Sequence, residues 1–138
     1  MYEILRFDSF KGSLYLLVTD KGLCKHANGN MLVMCFDMGS DHRIDSESKC
    51  RSTCTSYSTC IGYMGYFGGR NNGCTLIPST PNCPEGFTVI PSNGTNKWFT
   101  LAATSGDLVP SVASDEFVPK QSVGWACYAR MAGKAISP

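Results

Sequence analysis

Histidine is scarce in this chain, which has only His26 and His42. Neither belongs to a His-Glu-x-x-His metal motif, and no Gly-x-Ser-x-Gly elbow is present to hold a nucleophilic serine. A thiol protease would pair a free cysteine with a histidine. The cysteines here are more economically used in bridges. The expectation is a protein that is not an enzyme, with no cofactor and no metal. An excess of one charge is also lacking. Twelve Lys and Arg stand against eleven Asp and Glu, leaving a net charge of +1 that is scattered along the chain. Binding to nucleic acid through phosphates needs a basic patch, so that class is set aside. Long apolar runs are missing too. Leu14-Tyr15-Leu16-Leu17-Val18 is far shorter than the roughly 20 apolar residues that a helix needs to span a bilayer. No internal repeat and no low-complexity segment is visible. Met1-Tyr2-Glu3-Ile4 lacks the basic start and apolar core of a signal peptide. If the protein is secreted, the numbering begins after processing or inside a longer precursor.

What the chain does have is cysteine. Eight occur in 138 residues, an even number, and they are not grouped as paired Cys-x-x-Cys knuckles. Disulfides in an oxidising, extracellular compartment are the better reading than a cytosolic zinc site. A hydrophobic content of 43% suits one globular domain with a modest core.

Four of the eight cysteines fall between Cys50 and Cys74. Cys50 and Cys54 are four apart, which puts them on one face of a helix. Asp45 and Ser46 are candidate N-caps, and Glu47 suits the positive end of the helix dipole. Ser48, Ser52, Thr53, Thr55 and Ser56 are weak helix formers, so this helix needs tertiary anchoring. Cys60 to Phe67 is rich in aromatic residues and reads as one strand. Gly68 to Gly73 is a turn run in which Asn72-Gly73 signals a hairpin. Cys74 to Ile77 returns as the partner strand and is stopped by Pro78.

This pattern resembles the PAN/apple domain family. The resemblance rests on the helical pair Cys50 and Cys54, on Cys60 six residues on, on Gly62-Tyr63, and on Cys74-Thr75-Leu76. Cys24 and Cys127 fit the places of the family's outer cysteines, and Phe36 to Asp41 falls where the family has an aromatic and a glycine-containing turn. The match covers roughly residues 23–130. It implies an α+β fold: a small disulfide-rich domain with an antiparallel sheet and one short helix, here with an N-terminal β extension. The chain divides into that extension (1–22), the PAN/apple-like domain (23–131) and a C-terminal tail (132–138). The family pattern implies the pairs Cys50–Cys74, Cys54–Cys60 and Cys24–Cys127, which leaves Cys35 and Cys83 for each other.

In the extension, Tyr2 to Arg6 and Ser13 to Thr19 are strand-like, with Lys11-Gly12 as a turn between them. An apolar strand such as Ser13 to Thr19 must be covered. It either packs on the domain's own sheet or adds to the sheet of a neighbouring copy. Asn28-Gly29 is a second hairpin signal. Met31 to Phe36 is a continuous apolar run, read as one buried strand. Phe87 to Ile90 and Trp98 to Leu101 read as short strands. Thr104 to Gln121, with two prolines, reads as a long surface loop. Val123 to Tyr128 reads as the last strand, with Trp125 on the core side.

Several residues are candidates for function. Asp37, Asp41, Asp45 and Glu47 are oxygen-rich, but their spacing fits no standard calcium loop, and a solvated acidic loop explains them better. Tyr63, Tyr66, Trp98, Trp125 and Tyr128 offer aromatic faces for a sugar or a partner side chain, though most large aromatics in a small domain fill its core. Arg70 and Asn71, at the hairpin tip, could contact a ligand, and a turn chosen only for its geometry explains them equally well. Asn93-Gly94-Thr95 is the one N-glycosylation sequon, and Asn93 is expected to carry a glycan in a eukaryotic secretory pathway. The resemblance implies a non-catalytic extracellular interaction module that binds protein or carbohydrate in adhesion or recognition. The alternative is a structural subunit of a self-assembling extracellular filament or coat, with the N-terminal strand making the subunit contacts.

Overall fold

The computed structural model describes residues 5–8, 13–20, 22–37, 44, 46–67, 73–92, 96–111 and 125–131. They form a largely antiparallel α+β domain with four disulfides: Cys24–Cys127, Cys35–Cys83, Cys50–Cys74 and Cys54–Cys60. The main sheet has seven strands. In spatial order they are β1 (Leu5–Asp8), β2 (Ser13–Thr19), β11 (Trp125–Arg130), β6 (Cys60–Tyr66), β7 (Gly73–Pro78), β5 (Met34–Asp37) and β8 (Phe87–Ile90). Every pairing within it is antiparallel.

The central strands are apolar on both faces because both faces are covered. On β6, Tyr63 enters one core and Met64 the other, as the two-residue period of a strand requires. Tyr128 and Cys127 divide in the same way on β11, and Leu76 and Ile77 on β7. The first core lies beneath the helix α1 (Glu47–Thr55) and holds Tyr15, Tyr63 and Tyr128 with the helix cysteines. The second lies beneath two small ribbons. One pairs β3 (Cys24–His26) with β10 (Leu108–Pro110), and the other pairs β4 (Met31–Leu32) with β9 (Phe99–Thr100) in parallel. Leu32, Ala102 and Leu108 close it from above.

Helix α1 overcomes its poor composition through its anchors. The Ser46 hydroxyl caps its N-terminus by accepting from the Lys49 amide at 3.2 Å. Cys50 ties it to β7, and Cys54 to the start of β6. Thr53 and Thr55 donate back to the carbonyls of Lys49 and Arg51, which quiets the competing hydroxyls. No basic residue occupies its last turn, but Arg130 of β11 donates to the carbonyls of Cys54, Thr55, Tyr57 and Cys60. The guanidinium thus serves as the helix's C-terminal cap from across the fold.

Glycines on β6 allow close approach. A Cβ on Gly62 would stand 2.6 Å from the Tyr128 carbonyl oxygen and 2.7 Å from Leu108 Cδ1. One on Gly65 would stand 2.1 Å from the Gly73 carbonyl oxygen.

Of the two places open to residues 13–19, they take the intramolecular one: they form an internal strand of the main sheet, with β1 on one side and β11 on the other. Tyr15 is fully buried there, packed edge-on against Tyr63 with ring centroids 5.0 Å apart. Met31 to Phe36 is not one buried strand. It breaks at Val33 and serves two sheets, which turns Met31 and Phe36 outward. The loop expected from Thr104 contains a 3-10 turn at Ser105–Asp107 and then β10. Pro110 is tolerated in β10 because the ribbon has only two strands and needs no donor from it on the outer side.

Candidate functional site

The candidate site is built where β4 and β9 meet, on the outer surface of the second core. Its local structure comes from asparagines. The Asn28 side-chain oxygen accepts from the Asn30 amide at 2.8 Å, an Asx turn, and Gly29 takes φ +99° within it. His26 Nδ1 accepts from the Asn28 amide at 3.0 Å, and the backbone closes from His26 N to Asn30 O at 2.9 Å. This is the turn signalled by Asn28-Gly29. The strands on either side of it take their partners elsewhere, β3 from β10 and β4 from β9. A second Asx turn faces it, in which the Asn96 side-chain oxygen accepts from the Trp98 amide at 2.9 Å. Thr100 joins the two: its hydroxyl oxygen accepts from the side-chain amides of Asn28 at 3.0 Å and Asn30 at 2.8 Å.

These turns hold two large apolar side chains in water. Trp98 is 63% exposed and Met31 52%, and the Met31 amide donates to the Trp98 carbonyl at 3.0 Å. Lys97 places its ammonium 4.9 Å from the centre of the indole. No carboxylate pairs with Lys97 among the described residues. Beneath the surface, Leu32, Val33 and Ala102 are buried and fix its floor. At its flank, His26 Nε2 lies 3.8 Å from the Asp107 carboxylate. Asp107 also accepts from the amides of Ala103 at 2.8 Å and Thr104 at 3.3 Å, and these two bonds hold its carboxyl below the ordinary range.

The other candidates fall in different places. Tyr63 is a core residue and offers no exposed face. It stacks on Tyr128 with centroids 5.2 Å apart and donates its hydroxyl to Glu47. Burial pushes its phenol far above the ordinary value, and the Glu47 carboxylate adds to the shift. Tyr66 is half-buried at the end of β6. Arg70, Asn71 and Asn93 lie outside the described residues, as does the side chain of Trp125. Asp37 accepts from the Ile44 amide at 3.3 Å, and Glu47 is engaged by Arg51 at 2.8 Å. Asp41 and Asp45 are outside the described residues, and among those described no group of three His, Cys, Asp or Glu is placed to hold a metal.

Among the described residues, Trp98 is the only sequence candidate that reaches the β4–β9 surface. Asn28, Asn30, Met31, Asn96, Lys97 and Thr100 were not singled out as contacts. The Asn-x-Asn and Asn-x-Trp spacings of two Asx turns were the available signal.

Among the described residues no helix is long and apolar enough to cross a membrane. Neither models of known protein families, nor curated proteins, nor solved structures give a match to this chain.

Proposed function

We propose that this chain is a non-catalytic extracellular recognition domain of PAN/apple type, binding a protein or a carbohydrate partner through the Trp98–Met31 surface. Four disulfides are typical of extracellular proteins. The arrangement of a short helix stapled by two cysteines onto an antiparallel sheet is the one the family resemblance implies. The observation that carries the reading is Trp98, exposed on a rigid platform. Tryptophan is enriched among the residues that dominate binding energy, and Met31 extends its exposed apolar surface.

The alternative was a filament or coat subunit held by an exchanged N-terminal strand. Against it, β2 is paired on both edges within its own chain and has no free edge to lend. Sedimentation of the purified chain separates the two readings. A monomer supports recognition, and an open-ended assembly supports the subunit. Binding of the monomer to panels of extracellular proteins and glycans, with Trp98→Ala as control, then tests the surface. A panel signal that survives the substitution counts against this site.

A further inference from the structure

The recognition surface sets the Lys97 ammonium beside an exposed ring, with no carboxylate against it among the described residues. We propose that it binds an acidic sugar: a pyranose carrying a carboxylate, stacked on the Trp98 indole with its acid group on Lys97. The inference rests on the recognition reading above and adds the ligand's chemistry to it.

Each feature of the site matches a feature of such a ligand. The apolar C–H face of a pyranose packs on an aromatic plane, and Trp98 offers the most exposed of the large apolar side chains described. Lys97 lies over the same indole, and its charge meets no carboxylate among the described residues. An anion arriving there forms a charge-assisted hydrogen bond without breaking an existing ion pair. Asp107, a nearby acid, is turned to the amides of Ala103 and Thr104 and to His26.

Hydroxyl groups find partners as well. Asn96 uses its side-chain oxygen on the Trp98 amide, so its NH2 remains a donor. Asn30 uses its NH2 on Thr100, so its side-chain oxygen remains an acceptor. The Thr100 oxygen accepts from two amides, and its own proton remains to be given. The two Asx turns fix the backbone that carries donor, acceptor, cation and ring, which lowers the ordering cost of binding. A purely apolar protein partner would leave these amides and the ammonium poorly paired, which disfavours it.

Titration of the full, oxidised chain with defined sugars tests this, followed by indole fluorescence and calorimetry. The probes are a glucuronate-containing disaccharide, a sialylated trisaccharide and neutral lactose. The expected result is saturable binding of one or both acidic sugars, weakened by salt, with lactose weaker by about tenfold. Trp98→Ala is expected to reduce binding of every sugar. Lys97→Met is expected to bring acidic sugars down to the level of lactose measured on the same variant. The two acidic probes distinguish a uronate from a sialate. Equal affinity for acidic and neutral sugars, or indifference to Lys97→Met, overturns the proposal. So does the absence of sugar binding. A purified protein partner lost on Trp98→Ala, with no sugar bound, overturns the sugar and leaves the recognition reading standing. Both substituted side chains are exposed, and an unchanged circular dichroism spectrum verifies the fold of each variant.

Discussion

Arg130 Nη1 donates to the carbonyl oxygen of Cys54 at 3.0 Å, joining the last strand to the end of a helix that has no basic residue in its own last turn. The same nitrogen serves Tyr57 and Cys60, while Nη2 serves Thr55. Arg130→Met leaves these carbonyls half-buried without their donor. The expected loss is roughly 2–4 kcal/mol in urea unfolding. Arg130→Lys keeps the charge but not the planar fork, and its stability should fall between the two.

Tyr63→Phe removes the hydroxyl given to Glu47 and keeps the ring stack. The expected loss is about 1–3 kcal/mol, from a carboxylate with one partner fewer. Tyr63→Ala also empties the core between Tyr15 and Tyr128, and about 3–5 kcal/mol is expected. Chemical denaturation of the two variants separates the polar contribution from the packing one.

Gly65→Ala would press a methyl group against the Gly73 backbone. The Gly73 backbone cannot retreat as a side-chain tip can. A loss of roughly 1–3 kcal/mol or more is expected, seen as a lower melting temperature. Gly73→Ala, where a Cβ meets nothing within 4 Å, serves as the control.

The four bridges should differ in worth. Cys24 and Cys127 are 103 residues apart, and Cys54 and Cys60 only 6. The loop-entropy model gives about 4–5 kcal/mol for the first and about 2 kcal/mol for the second. Paired serine substitutions, measured in denaturant, should rank in that order. Peptide mapping without reductant checks the pairing itself.

Asp107 makes the ribbon region sensitive to acid. Its folded carboxyl is held below the ordinary value by the Ala103 and Thr104 amides, with His26 adding a smaller pull. A depressed carboxyl contributes stability above its unfolded value and loses it as the pH falls through the folded one. The melting temperature of the wild-type chain should therefore exceed that of Asp107→Asn at pH 6. The gap should close as the pH drops below about 4. A gap unchanged by pH would show that the charge plays no part.

The helix and its two anchors were legible because their signals are local. Cys50 and Cys54 share a helical face, Ser46 is a cap, and Cys60 to Phe67 and Cys74 to Ile77 are short runs that read as partner strands. The ribbons were not. β3 and β10 have three residues each, and one of those is Pro110, too few to show a period. The split at Val33 is invisible in an apolar run, since nothing in Met31 to Phe36 says that the two halves answer to different sheets. Arg130 reads as a surface charge until the fold brings it to carbonyls 70 and more residues earlier. Trp98 and Tyr63 are both aromatic residues in strand-like stretches. Whether each faces water or core depends on layers that only the assembled chain supplies.

The place of β11 governs the order in which the molecule can be finished. It lies between β2 and β6, so a strand from the start of the described chain waits for one from its end. On a ribosome the helix and the β6–β7 hairpin emerge together and can close their two bridges early. During that time β2 has β1 alone for company, and the Leu14 to Val18 run has no second strand beside it. The Cys24 thiol likewise has no partner until Cys127 arrives. Protection of that half-made edge, and an oxidant that acts late, are therefore built-in requirements of the topology. A chain cut short before residue 125 loses the strand that joins β2 to the rest of the sheet and, with Arg130, the donor to the end of α1.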